Sequence, residues 1–291
     1  MIEITRKFSE VIAIAKLEPK LKCVYVEGID DVYLINNFCE KYHDDNIGVY
    51  GIESVDYSEV YSGLDVKYVN ILKNNNKERV IYLAQVLETE ITDSVRPIIC
   101  VVDIDWDNLL GNLRKSQYLV YTDYNSMELY LFNKKVIEKF FQQGLRINGK
   151  IDYDTLMTSI ADVTRKIFHI HCLMHEECKS ILQNDKDFKY NKETSSCALD
   201  FDKYWQKTIM KCCVAGKANV LKKKYTDRIL QKCDSRMEMR GHDFVCYLYL
   251  CVKRMKSNLC MNKNEFANVF WQYIDYDDLA KENLFKRIIA L

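Results

Sequence analysis

Two apolar, β-rich runs in this chain end in acids. Leu21-Lys22-Cys23-Val24-Tyr25-Val26 leads into Glu27-Gly28, and Ile98-Ile99-Cys100-Val101-Val102 leads into Asp103-Ile104-Asp105-Trp106-Asp107. Side chains alternate along a strand, so an extended Asp103-Ile104-Asp105 turns both carboxylates to one face, and a neighbouring strand ending in Glu27 adds a third. The sequence offers these acids no evident Lys or Arg partner. Converging carboxylates repel one another, and the usual remedy is a hard divalent cation, Mg2+ or Mn2+, held by oxygen ligands. Such an ion polarises a phosphoryl oxygen, lowers the pKa of a bound water and steadies the leaving oxygen, which is the chemistry of phosphodiester hydrolysis. Glu27, Asp103 and Asp105 are therefore the candidate catalytic and metal-binding residues. Asp31 and Asp107, close behind Glu27 and Asp105, are candidates to hold a second metal. Gly28 lets the backbone of the turn approach a phosphate or metal. Taken alone, Asp30 and Asp107 read more simply as helix caps or solvated turn residues.

Those acids need a scaffold that brings two strand ends together. After Gly28, Val32, Leu34, Ile35, Phe38 and Cys39 recur at helical spacing, which predicts an amphipathic helix over residues 30–42. A weaker strand at 47–52, a helical stretch over 66–91 broken around Asn74-Asn75-Asn76, the 98–102 run and a short strand at 117–121 follow. The 98–102 run is apolar without alternation, the mark of a strand covered on both faces, as in a parallel sheet. This rhythm predicts an α/β fold with a Rossmann-like, mostly parallel sheet over residues 1–132, whose chemistry gathers at the carboxyl ends of the strands. Beyond Asn133 the strand signals fade. Patterns at 154–178, 201–213, 242–255 and 263–274 predict a mainly helical region over 133–291, read as a substrate-binding or dimerisation domain.

Val24-Tyr25-Val26-Glu27-Gly28-Ile29-Asp30-Asp31, followed by Val101-Val102-Asp103-Ile104-Asp105, resembles the TOPRIM signature of topoisomerases, primases, recombination proteins and OLD-family nucleases. Within that group the chain is most similar to the TOPRIM nuclease effectors (AriB-like) of the PARIS anti-phage systems. Thr122-Asp123-Tyr124-Asn125-Ser126-Met127-Glu128-Leu129-Tyr130 and Gly241-His242-Asp243 add to that likeness. The resemblance implies a TOPRIM catalytic domain with a metal ligand and general acid/base at Glu27, a metal-binding pair at Asp103 and Asp105, and a second-metal ligand at Asp31. It also implies a partner ATPase of the ABC type (AriA-like) that keeps the nuclease silent until a phage trigger releases it. A homodimer that cleaves host tRNA in antiviral, abortive-infection defence is the implied active form. A DNA endonuclease of OLD type and a non-catalytic subunit that binds the ATPase are the alternatives. Strand passage by a topoisomerase needs a tyrosine nucleophile and large further domains, for which 291 residues leave little room.

Other residues carry weaker signals. Arg240 and His242 open an apolar helix, where they are candidates to bind a substrate phosphate. Glu128, inside an apolar run, reads either as a carboxylate supporting the metal ligands or as half of a structural ion pair. His169, His171 and His175 form a histidine cluster, but their spacing with Cys172 and Cys178 matches no zinc pattern. Lys/Arg and Asp/Glu balance at 42 each, yet residues 203–263 carry fifteen basic residues against four acidic ones. Such a run is either a nucleic-acid surface, with Tyr204 and Tyr225 to stack bases, or merely a solvated helical face. No glycine-rich phosphate loop is present, so the chain itself is not expected to hydrolyse ATP. The charged N-terminal stretch lacks a signal-peptide pattern, no apolar run is long enough to span a bilayer, and the twelve cysteines are scattered without CxxC pairs. The expectation is a soluble, cytoplasmic protein with no membrane partner.

Overall fold

The computed structural model describes residues 5–42, 47–147, 149–179, 186–230 and 234–291. In chain order the N-terminal elements are β1 (Arg6–Lys7), α1 (Phe8–Leu17), β2 (Lys22–Val26), α2 (Ile29–Tyr42), β3 (Ile47–Gly51) and β4 (Val55–Asp56). Then come α3 (Val66–Asn74), α4 (Asn76–Glu90), β5 (Ile98–Val102), α5 (Asp107–Leu110) and β6 (Leu119–Tyr121). The later elements are α6 (Lys134–Lys139), α7 (Tyr153–Glu176), β7 (Phe188–Asn191), β8 (Ser196–Leu199), α8 (Phe201–Lys211), α9 (Ala218–Ile229), α10 (Gly241–Met255), α11 (Lys263–Trp271), α12 (Tyr276–Leu279) and α13 (Asn283–Ile289).

Strands β3, β2, β5 and β6 form one parallel sheet in that order. Val24 lies opposite Val49 on one side and Ile99 on the other, and Val102 lies opposite Tyr121. Every residue of β5 is buried, as its unbroken apolarity predicts. Cys23, Tyr25, Cys100 and Val102 share a core with Phe8, Val11 and Ile12 of α1 and with Val80, Leu83 and Leu87 of α4. Val24, Val26, Ile99 and Val101 alternate with them and are buried as well, so both faces of the sheet are covered. The sheet order places β3 on one side of β2 and β5 on the other. The connection therefore reverses direction at β2, and a Rossmann-like sheet opens its crevice at that reversal, by the carboxyl ends of β2 and β5.

The chain divides into two compact units, residues 1–123 with 275–291, and residues 124–274. The sequence expectation was a cut after Phe132, with everything beyond it in the second domain. The return of the C-terminal segment has a local cause: Asp123 accepts hydrogen bonds from the amides of Asn283 (3.1 Å) and Leu284 (2.9 Å), and Phe285 packs on Phe38 with ring centroids 4.7 Å apart. Neither contact has a sequence signature.

The second unit is mainly helical. The long helix α7 buries Ile160, Val163, Ile167 and Ile170, and α10 buries Phe244, Val245, Tyr247 and Leu248. One departure from the expectation is the antiparallel hairpin β7–β8, with Phe188 opposite Leu199 and Asn191 opposite Ser196. Its strands are only four residues each, too short to register as alternation. Among the described residues, no helix is long and apolar enough to cross a membrane, and every cysteine is a free thiol.

Candidate active site

Glu27 leaves β2 at its carboxyl end, where the Gly28 turn hands the chain to α2. Asp31, at the third position of α2, reaches back to accept the Gly28 amide at 3.1 Å, as the acidic residue of a capping box does. A side chain at Gly28 would meet only Asp31, at an ordinary 3.7 Å, so crowding does not demand glycine there. Because β5 runs beside β2, the Asp103 amide donates to Glu27 Oε1 at 2.8 Å. The two acid-bearing strand ends are joined by a direct hydrogen bond.

Beyond Val102 the period-two expectation fails. Strand β5 stops at Val102, and Asp105 adopts a left-handed conformation with φ 52°, so Asp103 and Asp105 do not lie on one extended strand. Aspartate tolerates this region better than most residues because its short polar side chain bonds locally. The turn presents the Ile104 carbonyl and the Asp105 carboxylate to Lys77. Lys77 Nζ stands 3.1 Å from Ile104 O, 3.1 Å from Asp105 Oδ2 and 2.7 Å from Asp107 Oδ2. This corrects the reading that the acids have no basic partner. Lys77 carries no sequence signal for this role: it sits at the start of α4, on a helix marked only by the break at Asn74-Asn75-Asn76.

The residue before it serves the other strand end. Asn76 Nδ2 donates to the Glu27 carbonyl at 2.9 Å and to Glu53 Oε1 at 3.0 Å. Asn75 caps the helix by accepting the Glu78 amide. The first turn of α4 therefore grips β2 through Asn76 and the post-β5 turn through Lys77.

The electrostatics follow from this crowding. Burial pushes the Glu27 carboxyl up to about 8; the Asp103 hydrogen bond and Lys77 oppose that rise, whereas Asp105 and Asp31 add to it. Burial works against the Lys77 charge, but Asp105, Asp107 and Glu27 outweigh it and hold the ammonium above its ordinary range. Among the described residues no three His, Cys, Asp or Glu side chains stand together as a ready-made metal cage. Asp107 in particular faces the lysine, at 2.7 Å. The donor chemistry nonetheless fits a hard divalent ion. The acids at this edge present oxygen alone, the donor type such an ion takes, and the rise of the Glu27 carboxyl is one that a bound cation would oppose.

The remaining candidates lie in the second unit. Glu128 pairs with His242, Nδ1 to Oε1 3.0 Å, and His242 itself is largely exposed. Gly241 has its amide on Ser126 Oγ at 3.0 Å, and a Cβ there would collide with Glu128 and Ser126. Arg240 Nη1 lies 3.2 Å from His171 Nδ1, and His171 Nε2 lies 3.1 Å from the Tyr204 hydroxyl. Burial, reinforced by Arg240, drives the His171 pKa down to about 3, so the ring is neutral; Arg240 donates to Nδ1 and Nε2–H donates to Tyr204. His169 stands 3.2 Å from Glu238 Oε1 without hydrogen-bond geometry, and His175 is exposed. His169 and His171 thus face separate partners rather than one metal.

The basic stretch also changes character in three dimensions. Lys203 and Lys207 pair with Asp187, Lys217 with Glu177, Lys222 with Asp202, and Lys224 and Arg228 with Glu176. All four acids precede residue 203, so counting charge along the chain overstated the local excess. Tyr204 and Tyr225 are buried packing residues and present no stacking surface.

No protein-family model matches this chain, and no curated protein matches it.

Proposed function

We propose that the chain is a divalent-metal-dependent nuclease of the TOPRIM type, hydrolysing phosphodiester bonds at the carboxyl ends of β2 and β5. The observation that carries this reading is the Glu27–Asp103 junction. The half-buried Glu27 carboxyl, pushed up to about 8, is hydrogen-bonded to the end of the neighbouring strand, with Asp105 and Asp31 near enough to add to the rise. A carboxyl raised by crowding against other acids is the arrangement that functional sites use to tune a ligand or proton carrier. Glu27, Asp103 and Asp105 would hold Mg2+ or Mn2+, with Asp31 next in reach and Asp107 engaged by Lys77. When bound, the ion supplies charge stabilisation to a phosphoryl group. Among these residues Glu27 is the one whose carboxyl is pushed up toward neutrality, which makes it the candidate general acid/base.

RNA, specifically tRNA, is the proposed substrate. A toxic effector role in anti-phage defence, with a cytoplasmic location, an ABC-type ATPase that restrains the nuclease and a homodimeric active form, rests on the motif likeness at Val24–Asp31 and Val101–Asp105. A second reading, a non-catalytic subunit of the same ATPase, draws support from Lys77, which already neutralises Asp105 and Asp107. Total RNA and DNA incubated with the purified chain and its Glu27→Ala variant, with Mg2+ or with chelator, separate the two. Discrete fragments that require both Glu27 and metal support the nuclease and name its nucleic acid. Intact RNA and DNA from the chain, with the ATPase and its trigger also supplied, favour the non-catalytic subunit.

A further inference from the structure

Lys77 satisfies an unusual set of conditions for a lysine. Its side chain is 11% exposed, and its ammonium meets three oxygens, the Ile104 carbonyl and one carboxylate oxygen each from Asp105 and Asp107. An ammonium has three protons to donate, and three acceptors lie within reach. Two carboxylates and a carbonyl around one positive centre is also a donor set that a hard divalent cation takes. The ammonium therefore stands in for a cation. Its neighbour Glu78 does not share the load, because Arg114 holds Glu78 in a bidentate pair at 2.7 and 2.8 Å.

We propose that Lys77 is the resident counter-cation of the β5 end, and that it competes with the divalent metal for Asp105 and Asp107 and must withdraw for the site to load. This inference rests on the metal reading of the site. A lysine suits the task in a way arginine does not: its point charge rides on a flexible four-carbon stem and can leave without breaking a planar, bidentate geometry. Withdrawal would free Asp105 to complete the set begun by Glu27 and Asp103, while Asn76, fixed on the Glu27 carbonyl, keeps the β2 end in place. Without metal the lysine prevents repulsion between Asp105 and Asp107. Lys77 is thus a positioning residue that sets the metal concentration at which the site loads.

The test is titration of Mn2+ alone into the full chain, followed by calorimetry, for wild type, Lys77→Met and Lys77→Met combined with Asp105→Asn. Removing a unit charge this close to the ligands is expected to tighten Mn2+ binding by about tenfold or more, and the gain is expected to vanish in the double variant. Equal affinity in wild type and Lys77→Met overturns the competition while leaving a metal site standing. No Mn2+ binding by any of the three overturns the metal reading and this inference with it. A second measurement needs no variant and stands if Lys77→Met fails to fold. Acylation of Lys77 by an amine-reactive label, read by mass spectrometry on the wild-type chain, is expected to rise several-fold with saturating Mn2+; unchanged labelling overturns the withdrawal.

Discussion

The amide of Asp103 and the carboxylate of Glu27 meet at 2.8 Å, 76 positions apart in sequence, and this bond ties the ends of two adjacent parallel strands together. Glu27→Gln preserves a hydrogen-bond acceptor for that amide while removing the ionisable group. If the chain is the proposed nuclease, cleavage by this variant is expected to fall by at least about 100-fold, the scale of a lost proton carrier, with the melting temperature unchanged or raised. Rates on labelled RNA beside a thermal melt check both parts.

The same carboxyl makes stability depend on pH. Its folded value, about 8, lies above its ordinary 4.5, so between those limits the folded chain binds a proton that the unfolded chain has released. Stability is then full at the acid end and declines as pH rises toward 8. Asp31 and Asp105 sharpen the effect and Lys77 softens it. Urea unfolding at several pH values, without metal, should show this decline in wild type and a flatter profile in Glu27→Gln.

His171 has the opposite sign. Its folded pKa, about 3, lies below the ordinary 6.5, so below 6.5 the unfolded chain gains a proton that the buried ring refuses. Its contribution is present above 6.5 and is lost as pH falls toward 3. Ring resonances followed by NMR should show no titration of His171 in the folded chain down to pH 4.

Gly241 opens α10 with its amide on Ser126 Oγ and no room for a methyl group between Glu128 and Ser126. Alanine is ordinarily the better helix former by about 1 kcal/mol. Here Gly241→Ala is expected to destabilise by about 1–3 kcal/mol, because the collision displaces packed neighbours. Chemical denaturation measures the sign directly.

Asp123 caps α13 from far away in the chain, through the Asn283 and Leu284 amides. Asp123→Ala is expected to cost about 1 kcal/mol, typical of a lost cap. Hydrogen exchange should locate the loss in the amides at the start of α13, and protection there equal to wild type would refute the capping role.

What the sequence determined by itself was local. Unbroken apolarity marked β5, helical spacing marked α2, the Asn-rich break separated α3 from α4, and acids stood at the ends of the two strands that turned out to be neighbours. These features are legible because hydrophobic period and strand propensity are properties of short segments. The tertiary structure decided who meets whom. Asp103 and Asp105 were expected to share a strand face, but β5 ends at Val102 and Asp105 turns left-handed toward Lys77. Lys77 and Asn76 entered the site from the first turn of a helix, the basic residues of α8 and α9 found acids upstream, and α13 returned to the first unit. An apolar period tells which face of an element is covered without saying by what, and an ion pair depends on distances that only packing sets. That is why the acids could be read from the chain and their cation could not.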